Sequence, residues 1–205
     1  MIPSYWQQAS SELSQNDPVL ADLVARFAGS TLVSRGEPFS TLVRSIVGQQ
    51  ISVKAADAIW ARLTGVLPKV EAASVLECPP QTLRECGLSA RKVEYLVDLA
   101  SHFTTGQIHV ERWATMSDAE VIDELTAVRG IGIWTAEMFL IFNLLRPDVL
   151  PLDDIGLQRA VADFYHDGER LTRRALLTFG ERWRPWRSVA TWYLWRSLDP
   201  VPVEY

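Results

Sequence analysis

From Ala127 to Leu145 the chain reads AVRGIGIWTAEMFLIFNLL, with Gly-Ile-Gly set inside an otherwise apolar run. SDAEVIDELTAV before the glycines and WTAEMFLIFNLL after them both read as helices, so RGIG is a tight turn between two helices. Gly130 and Gly132 can take the positive φ that such a turn needs, and they carry no Cβ to block an approaching group. Gly132 falls at the start of the second helix, where N–H groups without partners and the helix dipole favour an anion. A phosphate oxygen of a nucleic-acid backbone suits that place. An ordinary helix–turn–helix corner has the same needs, and the hairpin alone favours that plainer account.

The remainder of the chain is patterned in the same way. Asp17-Pro18 opens a helix running to about Phe27, with Asp17 as cap and Pro18 in the first helical position. A helix is expected from about Ser40 to Gly48, and another from the Ser52 cap to Gly65. PPQTLRECG and SARKVEYLVDLASHFTTG give two more, stopped by Gly87 and Gly106. Ser117 and Glu120 form a capping box. No alternating run of β-branched residues stands out, so the expected class is all-α, with nine or ten short helices.

Charge and cysteine content narrow the function. A net charge of −5 argues weakly against a nucleic-acid partner. Distribution matters more than the sum, and residues 169–196 hold seven arginines (170, 173, 174, 182, 184, 187, 196) against Glu169 and Glu181. A basic face on an acidic protein is compatible with that run, and so is a plain solvated helix. Cys78 and Cys86 are the only cysteines, too few for a disulfide framework or a four-thiolate cluster. No apolar run is long enough to cross a membrane, and MIPSYWQQASSELSQND lacks the pattern of a secretion signal. Of eight tryptophans, four crowd into WRPWRSVATWYLW (Trp183, Trp186, Trp192, Trp195). Tryptophan at helical spacing is more often core than ligand pocket.

PLDDIGLQRAVADFY reads as a loop entering a helix, with Asp153 placed as N-cap and Asp154 in the first turn. Both acids are explained by the helix terminus alone.

LTAVRGIGIWTAEMFL, followed after a short gap by DVLPLDDIGLQRAV, resembles the helix-hairpin-helix DNA glycosylase superfamily, whose signature is this hairpin and then an aspartate. The similarity extends back to IVGQQISVKAADAIWARL and forward to RWRPWRSVATWYLW, covering most of residues 38–197. It is greatest with the alkylpurine branch, the 3-methyladenine DNA glycosylase II type. Two departures stand out. Arg129 replaces the proline common before the first glycine, and the chain is too short for the additional N-terminal β-rich domain of longer members.

The resemblance implies a two-lobed all-α fold with the active-site cleft between the lobes. One lobe would span about 35–112; the other about 113–197, with the N-terminal helices 1–34 and the hairpin at 128–134. It maps the catalytic aspartate onto Asp154, with Asp153 supporting the loop. A carboxylate beside the sugar stabilises the positive charge that develops as a base leaves, and orients or activates water. The lyase members carry a Schiff-base lysine just after the hairpin; here that position is Trp134, and Lys54, Lys69 and Lys92 are not obvious substitutes. The implied enzyme is therefore monofunctional, without an iron–sulfur cluster, and leaves an abasic site. Gly130, Gly132 and Thr135 would meet DNA phosphates, and Gln50 would fill the gap left by the extruded base, with Gln49 and Ser52 stabilising its turn. Trp134, Met138 and Trp195 would line the base pocket. A Na+ or K+ ion would sit on the backbone carbonyls of Thr126, Val128 and Ile131; no cofactor is required.

The implied partner is double-stranded DNA with alkylated bases, bound by a monomer. The implied location is with the DNA, cytoplasmic in a bacterium and nuclear in a eukaryote. Two alternatives stay open at this point: a non-enzymatic helix-hairpin-helix DNA-binding module, and a glycosylase of the same superfamily for mismatched or oxidised bases.

Overall fold

A computed structural model of the chain describes residues 2–34 and 36–198. Twelve α-helices, two single 3₁₀ turns and no strand occur among the described residues. In order, they are α1 (Trp6–Asn16), α2 (Pro18–Arg26), α3 (Pro38–Gly48), α4 (Val53–Val66), α5 (Ala72–Glu77) and α6 (Pro80–Glu85). Then come α7 (Ala90–Thr104), α8 (Asp118–Thr126), α9 (Ile133–Phe142), α10 (Ile155–Tyr165), α11 (Arg173–Gly180) and α12 (Arg187–Leu198).

Local chemistry sets the ends. The Asp17 carboxylate accepts from the N–H groups of Val19 and Leu20 with Pro18 in the first turn, and Ser52 accepts from Ala55 N–H. Ser117 and Glu120 complete the capping box at the start of α8. Helix α3 begins two residues before the expected Ser40, because Pro38 presets φ and the Glu37 side chain accepts from Phe39 and Ser40 N–H. The count exceeds nine or ten. Helices α1 and α5 have no side-chain cap, which is the signal that sequence reading depends on.

The described residues form two compact units, 2–34 with 140–198, and 36–139. The division falls inside α9 and not near residue 112. Residues 113–139 belong with 36–112 because the hairpin is seated on α7: Arg129 N–H donates to Asp98, and Gly130 lies against the Tyr95 ring.

In the unit of residues 2–34 and 140–198, α12 packs on α1, α2 and α10. Buried Asp17 is held by Tyr165 Oη at 3.0 Å and Trp183 Nε1 at 3.2 Å, besides capping α2. Three of the four clustered tryptophans serve packing: Trp183 is fully buried, Trp186 Nε1 donates to Glu12, and Trp192 meets Trp6 edge-on. Most of the clustered arginines are engaged within this unit. Arg184 and Arg187 pair with Asp148 and Glu181, Arg173 with Asp153, and Arg182 lies over Phe179. Arg170 and Arg174 are exposed, and with four of the seven arginines held by acids or a ring the run is not a broad basic face.

In the unit of residues 36–139, α7 is central and packs on α3, α5 and α6. Leu42, Ile46, Leu63, Leu83, Leu96 and Leu99 are buried in its core. Glu124 on α8 is half-enclosed and accepts from Trp113 Nε1 at 2.9 Å and His109 Nδ1 at 2.6 Å.

Candidate active site

The loop before α10 turns through a hydrogen bond from Asp154 N–H to the Pro151 carbonyl, and Gln158 Nε2 ties back to the Leu152 carbonyl. Asp154 is extended (φ −75°, ψ 119°) and is itself the N-cap of α10, accepting from Leu157 N–H at 2.6 Å. The expected cap, Asp153, is exposed and pairs instead with Arg173 Nε at 3.1 Å. The register is shifted by one because the Pro151–Asp154 turn carries the chain past Asp153 before helical φ and ψ begin. Asp154 is 7% exposed. Its Oδ1 receives a second donor, Trp195 Nε1 from α12, at 2.7 Å. The Trp195 ring in turn stacks on Phe142, with centroids 5.6 Å apart and planes 15° from parallel.

Gly156 keeps that geometry open. A Cβ there would sit 3.1 Å from Asp154 Oδ1 and 3.1 Å from Trp195 Cδ1, tighter than ordinary packing. Sequence reading passed over this glycine; its signal was a glycine in the first turn of a helix, a position with no conformational need for one.

In the other unit, the hairpin joins α8 to α9. Gly130 takes the positive φ, at +85°, and any Cβ there would overlap Tyr95. Gly132 does not take a positive φ, contrary to expectation; it is exposed and a Cβ on it would meet nothing. One left-handed residue is enough to reverse this chain. The first bond of α9 runs from Ala136 N–H to the Gly132 carbonyl, so the helix presents its first-turn N–H groups at the hairpin. Trp134 is half-buried, while Thr135 and Met138 are buried. Arg129 donates its backbone N–H, a donor that proline would lack, to Asp98 Oδ2 at 2.8 Å, and its guanidinium faces Glu94 at 3.6 Å. The Val128 carbonyl accepts from Ile131 N–H at 3.1 Å. Those of Thr126 and Ile131 accept no backbone hydrogen bond among the described residues. Backbone carbonyl oxygens such as these are the donor type that a hard cation takes.

The α3–α4 turn lies in the same unit. Gln50 is exposed at its tip with φ 58°. Gln49 Nε2 donates to the Gly130 carbonyl at 2.9 Å, and Ser52 caps α4. Lys92 Nζ donates to the carbonyls of Val47 and Gln49 at 2.7 and 2.8 Å, and burial pushes its amine below the ordinary value. Neither Lys92 nor its two contacts were anticipated.

Residues 43–185 match the HhH-GPD superfamily base excision DNA repair protein family. The chain belongs to that family. It is 34% identical to DNA-3-methyladenine glycosylase 1 of Schizosaccharomyces pombe over 193 residues, covering 91% of this chain and 84% of that protein. Among solved structures, a DNA-3-methyladenine glycosidase from Bacillus halodurans superposes with a TM-score of 0.87 at 34% identity, over 97% of this chain and 93% of that one. The Schizosaccharomyces pombe 3-methyladenine DNA glycosylase in complex with abasic DNA gives 0.80 at 31% identity, over 97% and 98%. The all-α HhH-GPD fold and the alkylpurine branch agree with the resemblance drawn from the hairpin and the aspartate.

Proposed function

We propose that this protein is a monofunctional DNA glycosylase that extrudes N-alkylated purines of the 3-methyladenine type from duplex DNA and hydrolyses their glycosidic bond. The observation that carries the reading is the Asp154 carboxylate, pinned on one oxygen by Leu157 N–H and Trp195 Nε1 in a chain whose relatives are 3-methyladenine glycosylases.

The chemistry balances without a protonated leaving group. An N3- or N7-alkylated purine carries a positive charge, so it takes the electrons of the C1′–N bond and departs neutral. Positive charge then develops on the sugar, and Asp154 stabilises it. Water adds to C1′ and gives its proton to the Asp154 carboxylate, which releases it to solvent. Trp195 holds the carboxylate and offers an electron-rich ring, worth about 1–2 kcal/mol to a desolvated cation. Trp134 and Met138 are assigned to the base on the family resemblance. Trp134 standing where the resemblance puts a lyase's lysine, and Lys92 being engaged with two carbonyls, support hydrolysis without a Schiff base and an abasic product.

The first-turn N–H groups of α9, with Gly130, Gly132 and Thr135, take a DNA phosphate; the carbonyls of Thr126, Val128 and Ile131 would hold a Na+ or K+ ion, which would add positive charge beside that phosphate. Gln50 fills the vacated stack, and Asp153 holds the loop through Arg173. The protein acts as a monomer on DNA, in the cytoplasm of a bacterium or the nucleus of a eukaryote, with no cofactor.

Methylated duplex DNA incubated with the protein, followed by chromatography of the released bases, tests the reading. Methylpurines are expected, with strand breaks only after hot alkali. Release of oxidised or mismatched bases instead, or binding without release, contradicts it.

A further inference from the structure

Helix α3 ends at Gly48, leaving carbonyls that no intrahelical donor can reach. Glycine usually takes the left-handed position that closes such an end. Here that position is Gln50, φ 58°, where a Cβ is disfavoured. The turn's own hydrogen bonds are long: Gln49 N–H to Ile46 O at 3.3 Å and Ile51 N–H to Gly48 O at 3.5 Å. Its short bonds come from elsewhere, two from Lys92 Nζ and one from the Gln49 side chain to Gly130.

Lys92 does not act in isolation on α7. Tyr95, three residues on, seats Gly130, and Asp98, three further, holds Arg129 N–H. Residues at this spacing share one helical face. A single face of α7 thus touches both the Gln50 turn and the hairpin.

We infer that this face is a template setting the Gln50 turn in register with the hairpin, and that Lys92 is the positioning residue that holds Gln50 poised for base extrusion. The inference rests on the wedge role proposed for Gln50. An ammonium suits the task because its tetrahedral donors reach two diverging carbonyls, while the charge strengthens both bonds. With the turn braced, Gln50 meets the stack already in its left-handed conformation, and the brace reaches the residues that would hold the neighbouring phosphate.

The test compares Lys92→Met, Gln50→Ala and the double variant in single-turnover excision from duplex DNA. The methylated purine is either paired with its normal partner or set opposite a mismatched base, which eases extrusion. Lys92→Met is expected to slow excision of the paired lesion by roughly tenfold, with a clearly smaller loss opposite the mismatch, and to add nothing to Gln50→Ala. Equal loss on both duplexes, full additivity, or no loss overturns the inference. Should Lys92→Met not be recovered folded, Lys92→Gln, which keeps a donor for one carbonyl, is held to the same criteria. If Gln50→Ala leaves excision of the paired lesion unchanged, the wedge assignment itself fails and takes the inference with it. If Gln50→Ala slows it and Lys92→Met does not, only the inference fails.

Discussion

The indole N–H of Trp195 and the backbone N–H of Leu157 converge on one atom, Asp154 Oδ1, at 2.7 and 2.6 Å. Helix cap and proposed catalytic carboxylate are therefore the same residue. The N-cap bond fixes where the side chain starts, and the indole fixes how it is turned.

Removing the indole donor while keeping an aromatic ring isolates that second contribution. Trp195→Phe retains a ring to stack on Phe142 but loses a hydrogen bond to a charged group, worth about 1.5–3 kcal/mol. Single-turnover excision is expected to fall roughly 10- to 100-fold. The melting temperature should fall by several degrees as well, and an unchanged rate in the folded variant would show that the bond has no catalytic consequence.

Gly156→Ala separates stability from activity. In a helix, alanine is favoured over glycine by about 1 kcal/mol, so folding should not suffer. Its Cβ, however, would press on both Asp154 Oδ1 and Trp195. Excision should drop while thermal stability is held or raised. A variant as active as the parent would mean that the pair tolerates displacement.

The hairpin glycines are predicted to differ. Gly130→Ala meets a positive φ and the Tyr95 ring, and should cost ~2 kcal/mol or more of stability, read as a fall of several degrees in Tm. Gly132→Ala has open space and no positive φ, so its Tm should hold while DNA affinity, measured by fluorescence anisotropy, weakens. Equal melting temperatures for the two variants would contradict this division.

Much of this was legible in the sequence, and the rest was hidden for identifiable reasons. Caps announce themselves through residue type and spacing, so Asp17, Ser52 and the Ser117–Glu120 box were readable. Helix α1 has no such cap, so nothing in residue type marks where it begins. At Asp153-Asp154 two adjacent acids look alike in sequence, and only the turn at Pro151 decides which one caps. Arg129 could be seen to replace proline, but not that its backbone N–H would find Asp98, 31 residues earlier. Lys92 and Tyr95 were invisible as partners of the turn and hairpin because long-range contacts leave no local pattern.

Acid sensitivity is expected from Glu124. Burial opposes its ionisation, but hydrogen bonds from Trp113 and His109 outweigh this and hold the carboxyl below the ordinary 4.5. A folded-state value below the unfolded one stabilises the protein fully above the unfolded value, and that stability is lost as pH falls through the folded value. Glu124→Gln should lower Tm at neutral pH, by the equivalent of about 1–2 kcal/mol, and flatten the decline below pH ~4.5. Parallel Tm–pH curves for the two proteins would refute it.

The central claim, that Asp154 is catalytic and not only a cap, is tested most directly by Asp154→Asn. Asparagine caps a helix about as well as aspartate, so fold and DNA binding should persist. On methylated duplex DNA, the account predicts methylpurine release by the parent protein and a loss of at least about 100-fold in the variant, given the size of electrostatic contributions at such sites. Release at the parental rate by a folded, DNA-binding Asp154→Asn protein would contradict it.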